Sequence, residues 1–275
     1  MSQTPSTRIA FIGGGNMASA IIGGLIASGL PASHISVVEP FEAARTALKT
    51  KFGIDALPTA TDALAAADLV VWAVKPQTFR EAAAAAAPYT AQALHLSVAA
   101  GITTDSIALW LGTSRIVRAM PNTPALVGKG MTGLFARPDV DTTGQALIER
   151  VIGTTGQFVW VQAEEQLDAV TALSGSGPAY VFLFLEAMTQ AGVDMGLTAA
   201  QSYQLAVATF QGASELAARS DEPAAVLRER VTSKGGTTYA AITHMQQTQL
   251  PEHFIAALRK AQTRAQELAA EFGAR

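Results

Sequence analysis

Arg8-Ile9-Ala10-Phe11-Ile12-Gly13-Gly14-Gly15-Asn16-Met17-Ala18 is an apolar strand that runs straight into a glycine turn and then a helix. Gly13, Gly15 and Ala18 fit the pattern G-x-G-x-x-A. The first glycine permits a tight turn, the second lets backbone approach a pyrophosphate, and the small third position lets helix pack closely on strand. The unpaired N–H groups at the helix start then face the anion, so Gly13, Gly14, Gly15, Asn16 and Met17 are candidate cofactor contacts. Such turns also occur without a ligand, so the surrounding chain has to carry the argument. Downstream, Ile35 to Glu39 reads as a short strand ending in an acid. Glu39 lies near the spacing of roughly 20 residues at which a carboxylate takes ribose hydroxyls. A carboxylate there would repel a 2'-phosphate, which predicts that NADH is used at least as well as NADPH.

Strand and helix keep alternating to about residue 162. Helices are predicted over 43–52, 60–67, 81–87 and 143–154, and strands over 69–74, 94–98, 116–120, 131–135 and 158–161. The run Leu69-Val70-Val71-Trp72-Ala73-Val74 is apolar without interruption, as suits a central parallel strand. Beyond Glu164 the pattern becomes helical: 165–173, 178–195, 199–219, 224–231, 237–248 and 251–272 are predicted helices. The fold class is therefore α/β, an N-terminal Rossmann-type doubly wound sheet (1–162) followed by an all-helical domain (163–275). Segment 178–195 is apolar nearly all round, which calls for contact on every side and hence a subunit interface.

Composition narrows the function classes. In 275 residues, 49% are hydrophobic and 15% charged, and the formal charge is -3, so no basic surplus points to nucleic acid or an anionic membrane. Absence of cysteine excludes disulfides, thiolate metal sites and a cysteine nucleophile. His34, His95, His244 and His253 show no ligand spacing, and no metal site is expected. The apolar run from Ala179 is stopped at Glu186, far short of the roughly 20 residues that span a bilayer. The polar Met1 to Thr7 has no signal pattern, and a cytoplasmic location is the expectation.

Five loops interrupt the framework: A-V-K-P (73–76), V-A-A-G (98–101), M-P-N-T-P-A (120–125), S-G-S-G-P-A-Y (174–180) and T-S-K-G-G-T-T (232–238). The first three end predicted parallel strands, where ligands lie in doubly wound sheets, and should face one cleft. F-I-G-G-G-N-M-A together with A-V-K-P, M-P-N-T-P-A, S-G-S-G-P-A-Y and T-S-K-G-G-T-T, in this order, resembles the pyrroline-5-carboxylate reductase family over essentially the whole chain. The resemblance implies NAD(P)H-dependent reduction of 1-pyrroline-5-carboxylate to L-proline, the last step of proline synthesis. It also implies a helical domain that interlocks two subunits, with the homodimers assembling into a decamer. It places Ala73, Val74, Lys75, Pro76, Ala99, Gly101, Pro121, Asn122 and Thr123 beside the cofactor. Thr238 is implied as a substrate-binding residue whose hydroxyl bonds the imine nitrogen, while backbone N–H groups from Ser233 to Thr237, among them Gly235 and Gly236, hold the substrate carboxylate. This chain has Lys234 where many family members have proline, and exposure is expected for it.

Taken without their partners, these motifs also read as turns and caps: two prolines stiffen the turn at 121–124, and Pro178 suits a helix start. β-Hydroxyacid dehydrogenases, which share a Rossmann domain followed by helices, resemble one another in a lysine on the first helix of the second domain. Here no lysine occurs between Lys129 and Lys234. A reductase of other cyclic imines and an NAD(P)-binding protein without turnover remain open readings.

Overall fold

A computed structural model describes residues 7–273. Seven strands form one sheet: β1 (Ile9–Ile12), β2 (Ile35–Val38), β3 (Leu69–Trp72), β4 (Leu94–Ser97), β5 (Ile116–Met120), β6 (Gly130–Ala136) and β7 (Gly156–Trp160), in the spatial order β2-β1-β3-β4-β5-β6-β7. The first five are parallel. β6 runs antiparallel to β5, and β7 is parallel to β6. Crossovers between the parallel strands are α1 (Asn16–Ala27), α2 (Glu42–Phe52), α3 (Pro76–Thr90) and α4 (Thr104–Leu111), and α5 (Thr142–Gly153) joins β6 to β7.

The sheet is buried on both faces, which is why its strands read as unbroken apolar runs. Successive side chains of β1 divide between two cores: Ile9 and Phe11 join Val37, Val71, Leu96 and Val117, while Ala10 and Ile12 join Val70, Trp72 and Phe79. From β1 the chain passes first to β2 on one side and later to β3 on the other. That reversal opens a crevice at the carboxyl ends of β1 and β3, where doubly wound sheets take their ligands.

Beyond β7, α6 (Gln166–Val170) leads into a single π-helical turn at Thr171–Gly175, closed by the Ser176 N–H on the Thr171 carbonyl at 2.8 Å. Five longer helices follow: α7 (Gly177–Asp194), α8 (Ala199–Ala218), α9 (Ala224–Arg230), α10 (Thr237–Gln247) and α11 (Leu250–Phe272). Packing divides the described chain into one unit that runs to Ser176 and resumes at Ala261, and a second, Gly177–Lys260. The expected boundary at 162 therefore differs from the packing division at Ser176, and the last turns of α11 belong with the sheet. Phe272 packs on the second core and Leu268 lies against Gly101.

In the 177–260 unit, α7 and α8 approach so closely that a side chain at Gly192 would lie 2.7 Å from the Cβ of Ser202. Thr198 and Gln201 form a reciprocal capping box at the start of α8. Phe184 joins Phe210 and Phe254, with ring centroids 6.5 and 5.9 Å away, and Tyr180 meets Phe254 edge-on at 5.7 Å. Yet Phe182 and Leu183 on α7 stay 58% and 62% exposed. The all-round apolar pattern thus finds neighbours on only part of its circumference within one chain.

Several expectations need correction. The helix expected at 60–67 is only a 3-10 turn, Asp62–Leu64, because it buries a single side chain, Leu64, too little to sustain a helix. α4 was not predicted, although Thr103 caps its start and left-handed Gly112 ends it. α3 begins at Pro76, five residues before the alanine run, since proline's missing N–H costs nothing in a first turn. The helix expected over 165–173 breaks into α6 and the π turn. β3 stops at Trp72 rather than Val74. Most other helix and strand ends agree within one or two residues.

Candidate active site

Gly13 sits at the crevice with φ +95°, a conformation that side chains rarely adopt. Its N–H donates to the Val38 carbonyl at 2.8 Å, and a Cβ there would lie 2.6 Å from the Ala73 carbonyl oxygen. The turn is thus wedged between β2 and β3. Gly14 is buried beside Leu48, whereas Gly15, the residue before α1, faces open space: a Cβ there would meet no atom within 4 Å. No side chain caps α1, so the N–H groups of Asn16, Met17 and Ala18 have no side-chain cap partner from the residue before them. No packing contact requires glycine at position 15, and the open helix start leaves room for an anion.

Glu39 follows β2 almost buried. It is only 6% exposed, its Oε2 accepts the Gly14 N–H at 2.8 Å, and its Oε1 accepts the Phe41 N–H at 2.9 Å. The carboxylate braces the glycine turn, and each of its oxygens keeps a free lone pair. Outward from the same strand end stand exposed Phe41 and the Arg45 guanidinium, which donates to the carbonyls of Glu39 at 3.1 Å and Pro40 at 2.6 Å. In sequence Arg45 lies six residues beyond Glu39; the first turn of α2 folds it back onto the Glu39 and Pro40 carbonyls.

Ala73 and Val74 follow β3; the Ala73 N–H bonds the Ile12 carbonyl at 2.8 Å, so they form the wall opposite Glu39. Lys75 is exposed at the cap of α3 and Pro76 opens that helix. Ala99 is buried after β4, and its N–H donates to the Ser97 hydroxyl at 3.3 Å. Gly101 has φ +71° and would place a Cβ 3.2 Å from Leu268, so its glycine answers to α11 as well as to any ligand. Pro121 is buried, and Asn122 precedes the 3-10 turn Thr123–Val127, with Thr123 itself exposed. The strand-end positions from β1 to β5 therefore share the carboxyl edge of one sheet.

Behind that edge lies a charged cluster absent from the sequence reading. Arg118, 4% exposed in the middle of β5, pairs with Glu164 at 2.9 Å. Glu164 also accepts the Thr104 N–H at 2.7 Å and its hydroxyl at 2.5 Å. Nearby, burial pushes the Asp168 carboxyl up, with Arg118 pulling it down and Glu164 and Glu165 pushing it up. An arginine inside the apolar run I-V-R-A-M was the available signal, since a buried guanidinium requires a partner. Asn122 likewise reaches Ser174, whose carbonyl and hydroxyl oxygens both lie 3.2 Å from its Nδ2.

In the 177–260 unit, Ser233 to Gly236 folds into a turn closed by the Gly236 N–H on the Ser233 carbonyl at 3.0 Å. Gly235 has φ +76°, and Gly236 precedes α10 without any side-chain cap. Thr237 and Thr238 are the first two residues of that helix, with Thr238 half-buried; Ser233, Lys234 and Gly235 are exposed, as expected for Lys234. A glycine turn ahead of an uncapped helix start offers backbone N–H groups to an anion. Among the described residues no group of three or more His, Cys, Asp or Glu can hold a metal, and no helix is long and apolar enough to cross a membrane.

Comparison with known proteins agrees with this architecture. Residues 8–101 match the family model described as NADP oxidoreductase coenzyme F420-dependent, and residues 164–268 match the model of pyrroline-5-carboxylate reductase dimerisation. The pyrroline-5-carboxylate reductase of Pseudomonas aeruginosa is 43% identical over 268 residues, covering 97% of this chain and 98% of the relative. That of Haemophilus influenzae is 40% identical, covering 94% and 97%. Among solved structures, a pyrroline-5-carboxylate reductase from Coxiella burnetii superposes with a TM-score of 0.90 at 40% identity, covering 96% and 99%. The Plasmodium falciparum pyrroline carboxylate reductase, solved with NADP bound, superposes with 0.84 at 26%, covering 96% and 98%. With end-to-end likeness to these proteins and a glycine turn, a strand-end cleft and a helical dimerisation segment in the matching order, the chain belongs to the pyrroline-5-carboxylate reductase family.

Proposed function

We propose that this protein reduces 1-pyrroline-5-carboxylate to L-proline with NAD(P)H, the last step of proline synthesis. The observation that carries the reading is the Ser233–Gly236 turn before an uncapped α10, in a chain that also holds a glycine turn before an uncapped α1. One helix start suits a pyrophosphate and the other a carboxylate.

The bound nicotinamide supplies a hydride. Gly13, Gly14, Gly15, Asn16 and Met17 hold the pyrophosphate, and the residues of the strand-end loops at 73–76, 99–101 and 121–123 line the remainder of the cofactor. The N–H groups from Ser233 to Thr237 hold the substrate carboxylate, and the Thr238 hydroxyl orients the ring nitrogen. The protonated imine is already electrophilic at C5: hydride adds there, the C=N π electrons move onto nitrogen, and the secondary amine results. No strong general acid is needed, which fits a threonine in that role. Functionally, 1–162 serves the cofactor, while 163–275 serves substrate and dimerisation. Five homodimers form a decamer in the cytoplasm, a species ten times the 28.5 kDa chain, which analytical ultracentrifugation resolves from a dimer.

The decisive assay follows NAD(P)H absorbance with pyrroline-5-carboxylate. Turnover by wild type and a loss of about 10- to 100-fold in kcat/KM for Thr238→Ala are expected, the worth of one hydrogen bond of roughly 1–3 kcal/mol in the transition state. A wild type that consumes no cofactor rejects the activity. A fully active variant rejects only the role of Thr238.

A further inference from the structure

Asn122 lies at the cofactor edge of the sheet, yet its side chain is committed to the protein. Its Oδ1 accepts the Met131 N–H at 2.9 Å, which fixes the amide orientation. Its Nδ2 then donates to the Ser174 carbonyl and the Ser174 hydroxyl, both at 3.2 Å. The need for that bond is written in the chain. In a helix the Ser174 carbonyl would accept from the residue four further on, which is Pro178 and has no N–H. The turn is π-helical just here, and π turns concentrate at functional sites. A second contact joins the same two segments: a Cβ at Gly175 would stand 2.6 Å from the Met120 Cε, so the last residue of β5 packs directly on the turn.

We propose that Asn122 is a positioning residue for the reaction. Its amide is the strut that holds the Ser174–Ser176 turn against the loop after β5, so that the two glycine- and proline-bearing motifs move as one wall of the cofactor edge. The inference rests on the proposed activity. It adds to the lining role of the 121–123 loop a structural one for the Asn122 amide.

The test is a double-mutant cycle between Asn122→Ala and Pro178→Ala, read by kcat, KM for NAD(P)H and Tm. The Pro178→Ala chain regains an N–H able to serve the Ser174 carbonyl, so the Asn122 substitution costs less Tm in that background. Positioning is a separate matter: in both backgrounds Asn122→Ala is expected to lower kcat by about 30-fold or more, with KM for NAD(P)H changed less than about threefold, as a displacement near 1 Å costs on the order of 100-fold. If Asn122→Ala does not fold, Asn122→Asp serves, since it keeps the acceptor for Met131 and loses both donors. A kcat within about threefold of wild type in the variant overturns the proposal. So does a kcat loss that vanishes in the Pro178→Ala background, because the bond would then merely satisfy a carbonyl. Wild type without turnover overturns the activity itself and this role with it, whereas an active wild type isolates the strut.

Discussion

Gly13 and Gly15 are two positions apart in one motif, but the structure assigns them opposite reasons for being glycine, and alanine at each separates the two. At Gly13 an added Cβ meets the Ala73 carbonyl oxygen at 2.6 Å and its carbon at 2.9 Å. Both are backbone atoms held in the sheet and cannot swing aside. The φ of +95° adds conformational strain of roughly 1–2 kcal/mol, and overpacking adds about 1–3 kcal/mol, so Gly13→Ala should destabilise by about 2–5 kcal/mol. With about 2–4 °C per kcal/mol in a chain of this size, Tm falls on the order of 5–15 °C. Gly15 has φ -71° and open space around the missing Cβ, so alanine there costs under about 1 kcal/mol, mostly as a poorer helix cap. The same methyl group stands where a pyrophosphate approaches α1, and the Kd for NAD(P)H should rise at least tenfold, about 1.4 kcal/mol. Thermal unfolding followed by dye-free fluorescence, beside titration of nicotinamide fluorescence on the same samples, measures both. A Gly15→Ala variant that binds cofactor like wild type refutes the reading of the open face, and a Gly13→Ala variant with unchanged Tm refutes the reading of the wedged one.

Three other outcomes are expected. Burial lowers the His95 pKa from 6.5 to about 4, so the fold favours the neutral ring, whose Nδ1 accepts the Trp72 indole N–H at 3.1 Å; its stabilisation is complete above pH 6.5 and is lost as pH falls toward 4. The loss reaches about 3 kcal/mol at 1.36 kcal/mol per unit, and urea midpoints for wild type and His95→Gln between pH 7 and 4.5 should diverge, with the variant flatter. Removing Glu164 by alanine strands Arg118 in the core and should cost about 3–5 kcal/mol; the pair Arg118→Met with Glu164→Leu should recover most of it, and an unchanged midpoint in the single variant would contradict the pairing. Glu39 is tied to the Gly14 and Phe41 amides, and Arg45 sets a cation beside it at the same strand end. NADPH should therefore bind at least as tightly as NADH, and Arg45→Ala should raise KM for NADPH about tenfold while sparing NADH; equal effects on both cofactors would remove Arg45 from the 2'-phosphate.

What the sequence determined by itself was most of what short-range rules govern, though α4 went unread despite its Thr103 cap and Gly112 end. The β1–glycine–α1 unit, the alternation to residue 162 and the helical remainder follow from apolar periodicity and from the glycine and proline punctuation, because these act over one or two turns of chain. The five loops were legible as motifs for the same reason. Tertiary structure alone decided which partner each motif residue serves. Glu39 was legible as an acid ending a strand, but its direction depends on the Gly14 and Phe41 amides that only folding brings beneath it. Gly101 owes its close neighbour to Leu268, and Asn122 its partner to Ser174, contacts between residues far apart in the chain. Arg118 shows the limit most plainly: a buried charge requires an opposite one, which sequence can state, while the identity of Glu164 depends on where the chain returns after β7. A hydrogen-bonding side chain has many possible partners and almost no sequence constraint on which it finds, and the packed fold makes that choice.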